Sequence, residues 1–102
     1  AIKYLDKALE LAPLEKDLLG FAFEMLSQFK EWERIETLFT EKVQAQPNNT
    51  AFYYYIAKAQ KEQNKPELAI GNAKKVLEIK NSNDNPRIIQ AAEKLLEDLN
   101  VD

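Results

Sequence analysis

The sequence has no cysteine and no histidine. That removes disulfides, thiol nucleophiles, the commonest zinc ligands and the commonest general base. Only 2 glycines and 4 prolines occur in 102 residues, which argues against a loop-rich or β-rich fold. No apolar run approaches the ~18 residues of a membrane span. Gly20 and Gly71 stand alone, so there is no Gly-rich phosphate loop. The serines and threonines lack a His to activate them, which excludes a Ser–His nucleophile. An excess of positive charge is missing too. The net charge is −3, which argues against non-specific nucleic-acid binding. What is present is 45% apolar residues, enough for a packed core in a chain of single-domain length.

The chain carries a period. Breaks stand at Pro13, Pro47 and Asn81, 34 residues apart. The same step links Ala1, Ile35 and Ala69, and then Leu5, Phe39 and Ala73. The stretch before the first break is helical by spacing, with Ile2, Leu5, Leu9 and Ala12 on one face and Lys3, Lys7 and Glu10 away from it. This charged amphipathic pattern is not a signal peptide. Each break is followed by a further stripe, such as Leu19, Ala22, Phe23 and Leu26, or Phe52, Tyr53, Ile56 and Ala57. Pro66 and Pro86 suit the first turn of a helix, where a missing N–H is harmless, and Asn85 suits an N-cap. The reading is all-α, with six helices near 2–12, 15–29, 32–45, 50–63, 66–80 and 86–99.

Helix pairs at this period resemble tetratricopeptide repeats (TPR) over nearly the whole chain. The family's first-helix pattern looks like Tyr53, Ile56, Ala57 and Gln60 in the better copy, and its second-helix pattern like Ala69, Ala73, Val76 and Asn81. The middle copy offers Leu19, Ala22, Phe23 and Leu26, then Ile35, Phe39, Lys42 and Pro47; the opening stretch offers Ala1, Leu5, Ala8 and Pro13. The resemblance implies antiparallel helix pairs stacked as a short right-handed superhelix. Residues 1–15 would be the second helix of a truncated repeat, 16–49 and 50–83 full repeats, and 84–102 a capping helix. The chain is therefore expected to be a piece of a longer array. The apolar face of residues 2–12 then lacks a neighbour and is a candidate for self-association.

Several slots depart from the pattern. Phe23 and Ile35 put bulk where two helices should approach closely, so that pair should be splayed or shifted. Lys42 must reach solvent along its stem. Gln60 should be partly exposed or paired. The terminal helix fits with one residue inserted within Asn83-Asp84-Asn85, which places Ile88, Ala91, Ala92 and Leu95 in core slots.

No constellation points to catalysis, and no cofactor or metal is expected. Glu31, Glu33 and Glu36 cluster at a helix start, where negative charge suits the macrodipole. Asn81 to Asn85 superficially resembles a calcium loop but has Pro86 and Ala92 where Gly and Glu are needed, so it reads as a turn with a cap. Asn48-Asn49-Thr50 is formally a glycosylation acceptor and is read as a turn. Residues 50–80 carry six basic and three acidic groups, a basic middle that is either a solvated surface or a contact for an acidic partner. The cytoplasm is the default compartment.

The aromatic run Phe52-Tyr53-Tyr54-Tyr55 is the best functional signal, because consecutive helical residues cannot all face one core. Tyr53 fits the core slot. Tyr54 and Tyr55 are left for packing between repeats or for a recognition groove. The family resemblance implies a non-catalytic scaffold whose first helices line a concave groove. Asp17, Gly20, Phe21, Glu24, Gln28, Tyr54, Tyr55, Lys58, Lys61 and Ile89 would lie on it. A carboxylate clamp is not expected, because Gly20, Glu24, Tyr54 and Lys58 stand at its positions. The expected partner is a protein or peptide with an apolar anchor and flanking acidic residues, with no nucleic acid and no membrane contact. The alternative is a TPR extension of a larger protein that serves assembly or self-association.

Overall fold

In a computed structural model, the structure describes Lys7 and residues 16–80 and 85–99. Five helices and no strand occur among them: α1 (Lys16–Gln28), α2 (Trp32–Ala45), α3 (Thr50–Glu62), α4 (Pro66–Ile79) and α5 (Pro86–Asp98). Their principal extents are 41 × 30 × 21 Å. Of the helix expected over 2–12 only Lys7 is described, helical and exposed; the apolar face proposed for self-association lies outside the described residues. The other five expected helices are present, with ends displaced by no more than about a residue.

Each helix follows from apolar residues three or four apart. Leu19, Ala22 and Leu26 are buried on α1, and Ile35, Phe39 and Lys42 on α2. Fully burying a side chain such as Phe39 contributes about 1.5–3 kcal/mol. The Lys42 ammonium escapes along its stem to the exposed Glu41 carboxylate at 3.7 Å. Asn49 caps α3 by accepting from the Ala51 N–H at 3.1 Å, and Asn85 caps α5 by accepting from the Arg87 N–H at 2.9 Å. Pro66 and Pro86 open α4 and α5.

The repeat is written into the backbone. α1 and α3 each end on a left-handed residue, Lys30 (φ 56°) and Asn64 (φ 62°), 34 positions apart. At the first end the Lys30 N–H donates to the Ser27 carbonyl and the Glu31 N–H to Leu26. At the second the Asn64 N–H donates to Lys61 and the Lys65 N–H to Gln60. These are two copies of one Schellman-type stop. The step from α3 to α5 is longer. The capping asparagines, Asn49 and Asn85, are 36 residues apart. The buried set on α5 is Ala92, Leu95 and Leu96, while Ile88 and Ala91 are only half-buried. The insertion before the last helix is thus two residues rather than one, because the cap sets where the helix begins.

Two core clusters meet at α3. Ile56 and Phe52 join Leu19, Leu26, Ile35 and Phe39 on one side. Ala57 joins Ala69, Ala73, Leu95 and Leu96 on the other. The small residues Ala57, Ala69 and Ala73 are fully buried, so α3 and α4 pack along most of their length. α1 and α2 meet over a much shorter stretch, as expected with Phe23 and Ile35 in the corresponding slots.

Tyr53 does not take the core slot expected of it. Phe52 is the buried residue, with its ring 5.5 Å from that of Phe39. Tyr53 is half-buried, and its hydroxyl donates to the Pro47 carbonyl at 2.7 Å. The ring without a polar atom goes inside, and the phenol settles where its O–H finds an acceptor.

Candidate functional site: a groove across α1, α3 and α5

Aromatic packing opens the groove. Phe23, on α1, turns toward α3 and stacks on Tyr55, with centroids 4.2 Å apart and planes at 18°. Tyr54 meets the Phe23 ring edge-on at 6.2 Å. The Phe23 ring therefore packs α1 against α3 through aromatic contacts. The open groove that results has a volume of about 850 Å³. Its walls come from α1 (Gly20, Phe21, Glu24), α3 (Ala51, Tyr54, Tyr55) and α5 (Arg87, Ile88, Ala91), with Gln46 and Asn49 from the turn before α3. Gly20 brings its wall near the Tyr55 hydroxyl; a Cβ there would lie 3.9 Å from it, an ordinary contact.

Of the residues expected on the groove, Phe21, Glu24, Tyr54, Tyr55 and Gly20 line it. Phe21 is 51% exposed, a large apolar side chain facing water. Gln28 is exposed on α1 and Ile89 is half-buried on α5, but neither lines the groove. Asp17 belongs to α1, and its side chain lies outside the described residues. Lys58 and Lys61 are also off the groove. Lys58 pairs with Glu62 at 3.4 Å, and Lys61 crosses to Asp98 of α5 at 3.5 Å. Glu24, 34 residues before Lys58, does not pair with it, because each lysine has a closer carboxylate of its own.

Electrostatics in the groove are local. Burial pushes the Tyr54 hydroxyl above its ordinary range. Burial does the same to Tyr55, and the Glu24 charge and neighbouring Tyr54 add to the shift. Both phenols stay neutral hydrogen-bonding groups at physiological pH. Among the described residues, Glu24 and Arg87 carry the only charges lining the groove, and neither has an ion-pair partner there.

A second polar assembly, behind the groove, was not read from the sequence. Glu36 of α2 accepts from the Gln60 amide at 2.9 Å, the Gln63 amide at 2.8 Å and the Lys65 ammonium at 3.1 Å. Gln60, 5% exposed, in turn accepts from Asn72 of α4 at 2.8 Å. Gln60 is paired, as expected of it. Glu36 serves this three-helix network rather than the helix start. Burial acts to raise its carboxyl, but the three donated hydrogen bonds and the Lys65 charge outweigh this and hold it below the ordinary range. Gln60, Gln63 and Lys65 gather at the junction of α3 and α4, but nothing in their spacing points to Glu36.

No family model, curated protein or solved structure matches the chain. Among the described residues there is no cluster of acidic side chains that could hold a metal ion, and no helix is long and apolar enough to cross a membrane. Of the six lysines in the basic middle, Lys58, Lys61 and Lys65 are engaged in ion pairs and Lys75 lies 5.9 Å from the Tyr53 ring centroid. Half of that basic surface is thus paired within the chain, while Lys74, Lys75 and Lys80 are exposed.

Proposed function

We propose that the chain is a TPR-type array, a short right-handed superhelix of antiparallel pairs, acting as a non-catalytic scaffold that binds a peptide segment of a protein partner. The observation that carries this reading is the composition of the groove. Its helical walls come from α1, α3 and α5, the first helices of successive pairs, and none from the body of α2 or α4. The 34-residue recurrence of the Schellman stops supports the repeat assignment independently of side chains. An exposed Phe21 beside two partly buried tyrosines supplies flat apolar surface with hydroxyl tips, the chemistry favoured at recognition sites.

The test is to pan a library of random linear peptides on the chain and map the selected binders by amide chemical shifts. Perturbations should fall on α1, α3 and α5 around Phe21, Tyr54 and Tyr55, and Phe21→Ser should abolish binding without lowering helicity. Binders that map to the α2 and α4 face, or no binder at all, would overturn the reading.

A further inference from the structure

Resting on that groove reading, we infer that the groove is polarised and selects a peptide segment with a basic side chain on the α1 wall, an apolar anchor in the middle and an acidic side chain on the α5 wall. The lysines that suggested a purely acidic partner are neutralised by Glu62 and Asp98 and stand off the groove. What remains inside is one charge of each sign. Glu24 projects from α1 and Arg87 from α5, both are exposed, and neither is ion-paired among the described residues. The apolar surface of Phe21, Tyr54 and Ile88 lies on the helices that carry them or between them.

Charge complementarity then defines the occupant. A Lys or Arg beside Glu24 gains the carboxylate and the neighbouring aromatic surface, where cation–π attraction adds to the ion pair. A Glu or Asp beside Arg87 can take two parallel N–H donors from the guanidinium fork. A segment with the order reversed meets like charge at both walls, and one with acidic residues on both sides meets it at Glu24. The groove thus sorts by charge composition and fixes which end of a segment lies on which wall, and the repulsive contacts do as much of the sorting as the attractive ones.

A charge swap tests this. The probes are the peptides selected from the random library, measured by fluorescence polarisation against wild type, Glu24→Lys and Arg87→Glu. Selected peptides should carry a basic and an acidic residue flanking an apolar one. Each protein variant should weaken its binder by about five- to tenfold. Affinity should return when the peptide's basic residue is exchanged for Glu against Glu24→Lys, or its acidic residue for Lys against Arg87→Glu. Peptides that map to the groove yet bind both variants as tightly as wild type would overturn the polarity while leaving the groove reading intact. Peptides that map elsewhere would overturn both. Both side chains are exposed, so the variants should fold; Glu24→Gln and Arg87→Gln, which remove charge without reversing it, should show an intermediate loss.

Discussion

At the residue scale, one carboxyl stands apart. Glu36 joins three helices through donors from Gln60, Gln63 and Lys65, and its folded carboxyl titrates below the ordinary value of 4.5. A depressed acid stabilises the fold above the unfolded value and loses that contribution as pH falls through the folded one. Stability should therefore drop as the medium is acidified below about pH 4.5. Glu36→Gln should be less stable than wild type at neutral pH, and the difference should shrink in acid, since the amide cannot accept three donors as a charged group does. Denaturant midpoints measured across that range check it; a constant gap between variant and wild type would contradict the assignment. The network was not legible in the sequence because Glu36 lies more than twenty residues from its partners. Nothing local distinguishes it from Glu31 and Glu33.

At the element scale, helix identity was legible and side-chain orientation was less so. Spacing gave the five helices now described, and Asn85 and the two opening prolines marked starts by local chemistry alone. Phe52 rather than Tyr53 is the buried residue because neighbours on a helix differ by a turn of about 100°, and tertiary partners decide which one points inward. The stops were not foreseen, since Lys30 is an unusual residue for a left-handed position. A non-glycine residue there is strained by roughly 1–2 kcal/mol. Lys30→Gly should relieve part of this and raise the denaturant midpoint, by about 0.5–1 kcal/mol after the added backbone entropy of glycine is set against it. An equal or lower midpoint would show that the stop is held by the Lys30 side chain rather than by backbone geometry.

At the scale of the whole molecule, stability is unevenly spread. α3 contributes to both core clusters and packs closely on α4 through Ala57, Ala69 and Ala73. α1 meets α2 over a short stretch and leans on α3 largely through the Phe23 ring. Folded chains open locally, in units that follow such interfaces. Amide hydrogen exchange should therefore be slowest in α3 and α4 and fastest in α1, with the groove wall around Phe21 among the first segments to open. Equal protection in α1 and α3 would mean that the chain opens only as one cooperative unit.

The sequence by itself determined the helical class, the 34-residue step and the positions of small residues between paired helices. Those depend on spacing and local chemistry, which each stretch carries alone. It also offered Phe21, Glu24, Tyr54 and Tyr55 as candidates for recognition, but not Arg87, which reaches the groove from a separate helix. The tertiary structure decided which of them share a groove. Phe23 packs α1 on α3 through its ring, and a two-residue lengthening before α5 brings Arg87 and Ile88 to the opposite wall. Lys58 and Lys61 left the site for the same kind of reason: carboxylates one turn along and on the adjoining helix captured them. Ion pairs and ring stacks form between whatever three-dimensional packing brings within a few ångströms, and no one-dimensional spacing encodes that across separate helices.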